Sequence, residues 1–284
     1  MGNQAPLVGD DADLTRELHA WLAGDRVGGG AISASENNAL ASVAGRGRAH
    51  NQDRALLARL PDGAACALLA DGMGGMAAGA DCASWAVAAT VAYLTRGGLL
   101  EDAVRAANRA VYGHHGGSGG TTLSVVLALP DGEIRLAHAG DSRVYALSET
   151  ASAHRNTQDH TALAELGERG SILPASRRAA LGARLTRALG LEADIAPDMG
   201  PVSGENSLLT SDGIHDFAGA AIDTLRWGKY APADALARLL QVALEAGSRD
   251  DRSAIWFEPA ALPAAIHGRL TLWEPGAGCR QLAV

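Results

Sequence analysis

The feature that most constrains the fold is a pattern that occurs twice: an apolar run, the turn Pro-Asp-Gly, and a second apolar run. RALLARL, PDG and AACALLA form the first instance, and TTLSVVLAL, PDG and EIRLAHA the second. Runs of this kind joined by a short turn predict antiparallel hairpins. GDS then turns the chain into RVYAL. Between the hairpins, apolar periodicity predicts two helices. One runs from about Ala77 to Leu94 with Ala80, Val87, Val91 and Leu94 on one stripe; the other follows Glu101 with Val104, Ala107 and Val111 on its face. Hairpin strands with a helix pair between them imply an α+β layer fold, antiparallel sheet with helices packed outside, rather than a doubly wound sheet.

Both flanks are less regular. Residues 10–22 predict a short amphipathic helix with Leu14, Leu18, Trp21 and Leu22 on one face and Asp10 or Asp11 as its cap, followed by a flexible link, GDRVGGG. Residues 1–36 are expected to be an N-terminal extension, 37–258 the main domain and 259–284 a C-terminal tail with one candidate strand, RLTLW. Within the main domain, 170–204 is rich in Arg, Ala, Gly and Pro and reads as a surface flap; its Arg177, Arg178, Arg184 and Arg187 suggest a gate for substrate. A final helix is expected from about Pro232 to Ala246, with proline suited to the first helical position, before the strand SAIWF.

Aspartates stand where these runs meet turns. Asp71 ends ACALLAD, Asp141 ends IRLAHAGD, Asp212 ends NSLLTSD, Asp53 closes RGRAHNQD, and Asp250 precedes AIWF. Carboxylates held at strand ends repel one another unless hard cations lie between them. The pattern therefore suggests a two-metal site and hydrolysis at phosphorus. Taken alone, DGMGG is also compatible with a tight glycine turn in which Asp71 is a solvated helix cap. Gly72, Gly74 and Ala77 match a dinucleotide-binding pattern as well, although the surrounding hairpins do not resemble a βαβ unit.

The net charge of −8 offers no basic footprint for nucleic acid, so that partner is set aside. The most apolar stretch, AVAATVAYL, is too short for a membrane span, and the polar start MGNQAPLVGDDAD is unlike a signal peptide. Cys66, Cys82 and Cys279 have no paired spacing; buried thiols in a reducing, cytoplasmic compartment are expected.

Seven elements in order carry a resemblance: Arg48 with Asn51-Gln52-Asp53, Asp71-Gly72-Met73-Gly74-Gly75, Gly119-Gly120-Thr121-Thr122, Gly140-Asp141-Ser142-Arg143, Thr157-Gln158-Asp159-His160, Thr210-Ser211-Asp212-Gly213, and Asp250-Asp251. The series, spanning roughly 39–258, resembles the metal-dependent protein serine/threonine phosphatases of the PPM (type 2C) family in their compact bacterial form. The resemblance implies a four-layer α-β-β-α sandwich and removal of phosphate from Ser or Thr of a phosphoprotein, the target of a Ser/Thr kinase, by a monomeric enzyme. It implies that Asp71 bridges two Mn²⁺ or Mg²⁺ ions, that Asp53 and the Gly72 carbonyl serve one, and that Asp212 and Asp250 hold the other. It also implies that Asp141 supports a third metal site and that Arg48 grips the phosphate. Four aspartates then balance two divalent ions, and Arg48 balances a bridging hydroxide, whose formation at neutral pH metal coordination permits. The guanidinium offers phosphate a planar fork that lysine lacks.

Three positions depart from the family pattern. Met73 stands where some members carry a histidine that protonates the leaving oxygen, Gln52 replaces a glutamate of the animal branch, and Asp251 replaces the usual asparagine, a change that could retune the site. His138 is expected to be packed, His114 and His115 solvent-facing, His160 a structural hydrogen-bonding residue, and Thr121 and Thr122 the start of a core strand. Ser142 lacks the Gly-x-Ser-x-Gly setting of a serine hydrolase. The rival from a different class is a pseudophosphatase that binds a phosphoprotein or kinase without turnover, which the full set of aspartates disfavours.

Overall fold

The computed structural model describes residues 9–23, 31–148, 152–275 and 278–284. The expected link GDRVGGG, residues 24–30, lies outside them. In chain order the strands are β1 (Ala31–Ser35), β2 (Asn38–Val43), β3 (Asp53–Arg59), β4 (Ala65–Met73), β5 (Gly120–Thr121), β6 (Leu123–Ala128), β7 (Ile134–Ala139), β8 (Arg143–Leu147), β9 (His154–Arg155), β10 (Asp198–Pro201), β11 (Asn206–Thr210), β12 (Arg252–Phe257), β13 (Arg269–Glu274) and β14 (Gly278–Ala283). The α-helices are α1 (Gly9–Leu22), α2 (Met76–Thr95), α3 (Leu100–His115), α4 (Ala162–Glu165), α5 (Glu168–Ser171), α6 (Ala175–Gly182), α7 (Asp212–Thr224) and α8 (Pro232–Glu245).

Two sheets result. One has the order β1-β2-β12-β11-β8-β9; the other runs β10-β7-β6-β4-β3-β13-β14, with β5 added on β4. The pairings between named strands are antiparallel throughout. The dinucleotide reading of DGMGG fails on this point. The helical hairpin α2–α3 returns the chain to β4 antiparallel, so no βαβ unit forms.

Strand alternation builds the layers. On β4, Cys66, Leu68 and Ala70 join the core under α2 and α3, whereas Ala65, Ala67 and Leu69 face the second sheet. On β12, Ala254 and Trp256 pack toward α7 and α8, while Ile255 and Phe257 enter the space between the sheets. Helices, sheet, sheet and helices therefore stack in four layers. The turn after β7 does not make a hairpin with β8. It carries the chain from one sheet to the other, with Asp141 in the crossing.

The flanks are built onto this sandwich. Leu18 and Leu22 of α1 are buried in the core shared with α2, with Leu14 and Trp21 against it. The helix starts at Gly9, so Asp10 and Asp11 lie in its first turn instead of ahead of it. Strand β1, inside the expected extension, pairs with β2, and the tail strand β13 pairs with β3. Both boundaries expected at 36 and 258 thus fall within continuous packing. Arg280 of β14 bonds Glu17 at 2.9 Å and lies over the Trp21 ring. Cys66 and Cys82 are buried and Cys279 is exposed. Among the described residues no helix is long and apolar enough to cross a membrane.

Leu69, fully buried between the sheets, reports on this packing. Leu69→Ala is expected to lower unfolding free energy by about 2–5 kcal/mol. Ile172→Ala, at a residue 84% exposed, is expected to change it by no more than about 0.5 kcal/mol. Urea denaturation midpoints check both.

Candidate active site

The β3–β4 register sets Asp53 directly opposite Asp71. Ala55 and Leu57 on one strand, and Ala65, Ala67 and Leu69 on the other, face the second sheet; by the same period of two, Asp53 and Asp71 are directed to that side. Residue 72 has to be glycine, because a Cβ there would lie 2.1 Å from the Gly79 carbonyl oxygen. That close approach seats the start of α2 against the strand. From the other sheet, Asp212 follows β11 as the first residue of α7, and Asp250 stands just before β12. Gly213 is equally constrained, since its Cβ would fall 2.0 Å from the Asp251 carbonyl oxygen. All five predicted aspartates therefore lie at one end of the sandwich, on both sides of the seam between the sheets.

Their mutual electrostatics express this convergence. Asp71 is raised well above the ordinary carboxylate range, first by burial and then by the charges of Asp53, Asp212, Asp141 and Asp250. Asp212 is raised by burial, then by Asp141, Asp250, Asp53 and Asp216. Asp53 is pushed up to about 7 by burial and by Asp251, against the lowering effect of hydroxyls from Ser253 and Ser211. Asp141 is pushed up to about 6 by burial and then Asp159. Asp53 Oδ1 and Asp212 Oδ1 are buried and accept no hydrogen bond. Among the described residues no group of three or more His, Cys, Asp or Glu side chains is gathered so that it could hold a metal ion as it stands. The donor set nonetheless fits hard divalent cations: it is all oxygen, short of positive charge, and has two orphaned carboxylate oxygens to offer.

Arg48 is the cation at the rim. Its Nη2 donates to Asp250 Oδ1 at 2.6 Å and its Nη1 to Asp251 Oδ2 at 2.8 Å. Asp250 Oδ1 also accepts from the Asp251 amide at 2.7 Å. The family resemblance implies Asp250 for metal and Arg48 for phosphate; here the two side chains form an ion pair.

Several residues that the sequence offers only as motif members or strand residues support the aspartates. Thr122 Oγ1 accepts from the Asp71 amide, and Thr121 Oγ1 donates to the Asp71 carbonyl, each at 2.9 Å. Ser142 Oγ lies 2.8 Å from Thr122 Oγ1. Ser211 Oγ donates to Asp53 Oδ2 at 2.9 Å. Their contacts with the aspartates carry no spacing signature. Asp216 does carry one: it follows Asp212 by one helical turn, so the two share a face of α7.

The histidines divide. His138 is buried, its Nδ1 is 2.9 Å from Ser124 Oγ, and burial lowers it to about 4. His160 Nδ1 accepts from the Gly140 amide beside Asp141. His114 and His115 are not simply solvent-facing. His115 Nε2 lies 2.8 Å from Asp81 Oδ2, His19 Nε2 lies 2.7 Å from Asp81 Oδ1, and Trp85 is stacked between His19 and His114.

The expected flap 170–204 also divides. The excursion runs from α4 through α6, which buries no residue, and Arg177, Arg178 and Arg184 are exposed. Its neck is pinned by the bridges Thr161 to Leu185 and Thr121 to Leu189. The later part is not irregular surface, because β10 joins the sheet beside β7. Arg187 is not free either; it pairs with Asp198.

Antiparallel sheets stacked between helices, with carboxylates at one end of the seam, define the PPM phosphatase fold. The crystal structure of the Mycobacterium tuberculosis serine/threonine phosphatase PstP/Ppp matches with a TM-score of 0.64 at 29% identity, over 77% of this chain and 96% of that one. The PPM Ser-Thr phosphatase MsPP from Mycobacterium smegmatis, in complex with cacodylate, matches with a TM-score of 0.62 at 28% identity, over 80% and 98%. In sequence, the chain is 34% identical over 137 residues to the protein phosphatase PhpP of Streptococcus pneumoniae, covering 46% of this chain and 55% of PhpP. It is 32% identical over 229 residues to M. tuberculosis PstP, covering 73% and 42%. The chain thus spans about half the length of the curated relatives it matches. No family model matches. By sequence and structure together, the chain belongs to the bacterial PPM-type serine/threonine phosphatases.

The raised acids set a pH dependence. Asp53 keeps its proton in the fold up to about 7 but loses it near 3.8 when unfolded. The folded state then binds more protons, so stability of the chelated protein falls as pH rises through that window. Asp53→Asn is expected to flatten the slope, and Mn²⁺ to oppose it. Thermal melts at a series of pH values check this.

Proposed function

We propose that this chain is a metal-dependent phosphatase that hydrolyses phosphoserine and phosphothreonine in proteins. The observation that carries the reading is the set of recessed aspartates from both sheets, raised against one another, with Asp53 Oδ1 and Asp212 Oδ1 left without donors. In this reading Asp71 serves two cations, Mn²⁺ or Mg²⁺. Asp53 and the Gly72 carbonyl complete one position, Asp212 and Asp250 the other, and Asp141 supports a third. When bound, the cations would supply Lewis-acid polarisation of the phosphoryl group and a nucleophilic water at neutral pH.

The chain's own residues do the rest. The hydroxyls of Thr121 and Thr122 grip both sides of the Asp71 peptide, so its carboxylate is aimed before substrate arrives. Ser211 orients Asp53 and leaves its other oxygen open. Arg48, one-third exposed at the rim, receives the phosphate dianion, which the carboxylates alone would repel. Met73 cannot supply a proton to the leaving oxygen, so turnover is expected to be slowest for poor leaving groups. The flap, pinned through Thr121 to the strand pair that carries Asp71, gates access of the phosphoprotein. We read the enzyme as a cytoplasmic monomer opposing a Ser/Thr kinase, with no nucleic-acid or membrane partner.

Manganese-dependent release of inorganic phosphate from a phosphothreonine peptide tests this. Asp71→Ala and Asp212→Ala are each expected to reduce it at least about a hundredfold, the loss that follows removal of several kcal/mol of charge stabilisation. Undiminished release from both variants, or none from wild type in any metal, would overturn it, the latter in favour of a pseudophosphatase. Replacing residues 162–184 by a short linker is expected to lower peptide turnover more than turnover of a small aryl phosphate; equal loss on both counts against a gate.

A further inference from the structure

Asp251 is the least exposed charged group at the rim, with 1% of its side chain accessible. Its carboxylate is the meeting point of one loop. Oδ1 accepts from the Gly45 amide at 2.6 Å. Oδ2 accepts from the Gln52 amide at 2.9 Å and from Arg48 Nη1 at 2.8 Å. Both ends of the segment 45–52 and the arginine within it are therefore tied to one side chain more than 190 residues away in sequence. The loop is pressed close: a Cβ on Gly45 would lie 2.3 Å from the Arg249 carbonyl oxygen. Arg48 also closes a turn onto the Gly45 carbonyl through its own amide at 3.0 Å.

The chemistry of this cradle requires a carboxylate. All three partners are donors, two on one oxygen and one on the other. An amide at 251 presents one acceptor and one NH₂ group, so it would set a donor against a donor on one side whichever way it turned. The arginine's two ion pairs also differ. Asp250 is 38% accessible, whereas Asp251 is enclosed. A carboxylate at the rim can exchange partners; one held by three donors in a closed pocket stays in place.

Resting on the phosphatase reading above, we propose that Asp251 is a positioning residue for Arg48: it staples the loop at 45 and 52 and fixes the guanidinium so that its accessible edge faces incoming phosphate. The residue thus acts on substrate through the arginine, not by contact.

Two measurements on the full chain test this. The first needs no turnover. In the chelated protein, the amide protons of Gly45 and Gln52 are expected to resonate downfield and to move upfield in Asp251→Asn, as bonds to a carboxylate are lost. The second is calorimetric titration of inorganic phosphate into the manganese-loaded protein. Arg48→Ala and Asp251→Asn are each expected to weaken phosphate binding roughly ten- to a hundredfold. The double variant is expected to be no weaker than Arg48→Ala within about twofold. Asp251→Glu keeps the charge displaced by one methylene; it is expected to show an intermediate loss and provides the measurement should the asparagine variant not fold. Unmoved amides, unchanged affinity, or losses that simply add would overturn the proposal. If the coupling holds but the wild type releases no phosphate from a peptide, the positioning role stands and the phosphatase reading falls. If turnover is intact and the coupling is missing, the reverse is true. If the wild type binds no phosphate, both fall.

Discussion

Repulsion between carboxylates organises this molecule. The sandwich forces aspartates from two sheets to face one another in a recess where water cannot fully screen them, and that arrangement opposes folding. Asp71 feels four such neighbours. The protein does not dilute the charge with interspersed lysines; Arg48 stands at the rim and neutral hydroxyls line the walls. What remains is a localised deficit of positive charge inside an otherwise ordinary core.

The rest of the structure is arranged to hold that deficit in place. Strand alternation uses each residue once: Leu68 and Ala70 of β4 anchor the helical layer, while Leu69, and Asp71 by the same period, look the other way. The glycines at 72 and 213 remove the side chains that would keep α2 and α7 from seating against the backbone beside the aspartates. Hydrogen bonds from Thr121 and Thr122 fix the peptide of Asp71 and not its carboxylate. The side chain is left with its coordinating capacity intact.

Much of this was legible in sequence because it rests on local pattern. The two Pro-Asp-Gly hairpins and the helix pair follow from short-range periodicity, and the aspartates stood out because each interrupts an apolar run. Helix α7 was not anticipated, since Gly213 and Gly219 lower its propensity, although Ile214, Ala218 and Ile222 carry the helical spacing and are buried. Strands β1 and β2 were missed because ISAS and NALASV are short and small. The crossing of the chain between sheets at Asp141 could not be read, because a turn looks the same whether it closes a hairpin or leaves one. Long-range partners were also invisible: nothing near Arg48 indicates Asp251, and nothing near Asp53 indicates Ser211. Asp251 drew notice only as a departure from a pattern; its three donors emerge once the chain is folded.

The aspartates divide between two separate sheets, and those sheets touch mainly through apolar side chains. Leu69 and Ile255 both belong to that layer. Such residues act as a spacer as well as a glue, because the thickness of the layer between the sheets sets how far Asp53 and Asp71 stand from Asp212 and Asp250. Trimming this layer loosens, and overfilling it strains, the register in which the two sheets hold their aspartates, so the spacing of these charges depends on hydrocarbon remote from every oxygen.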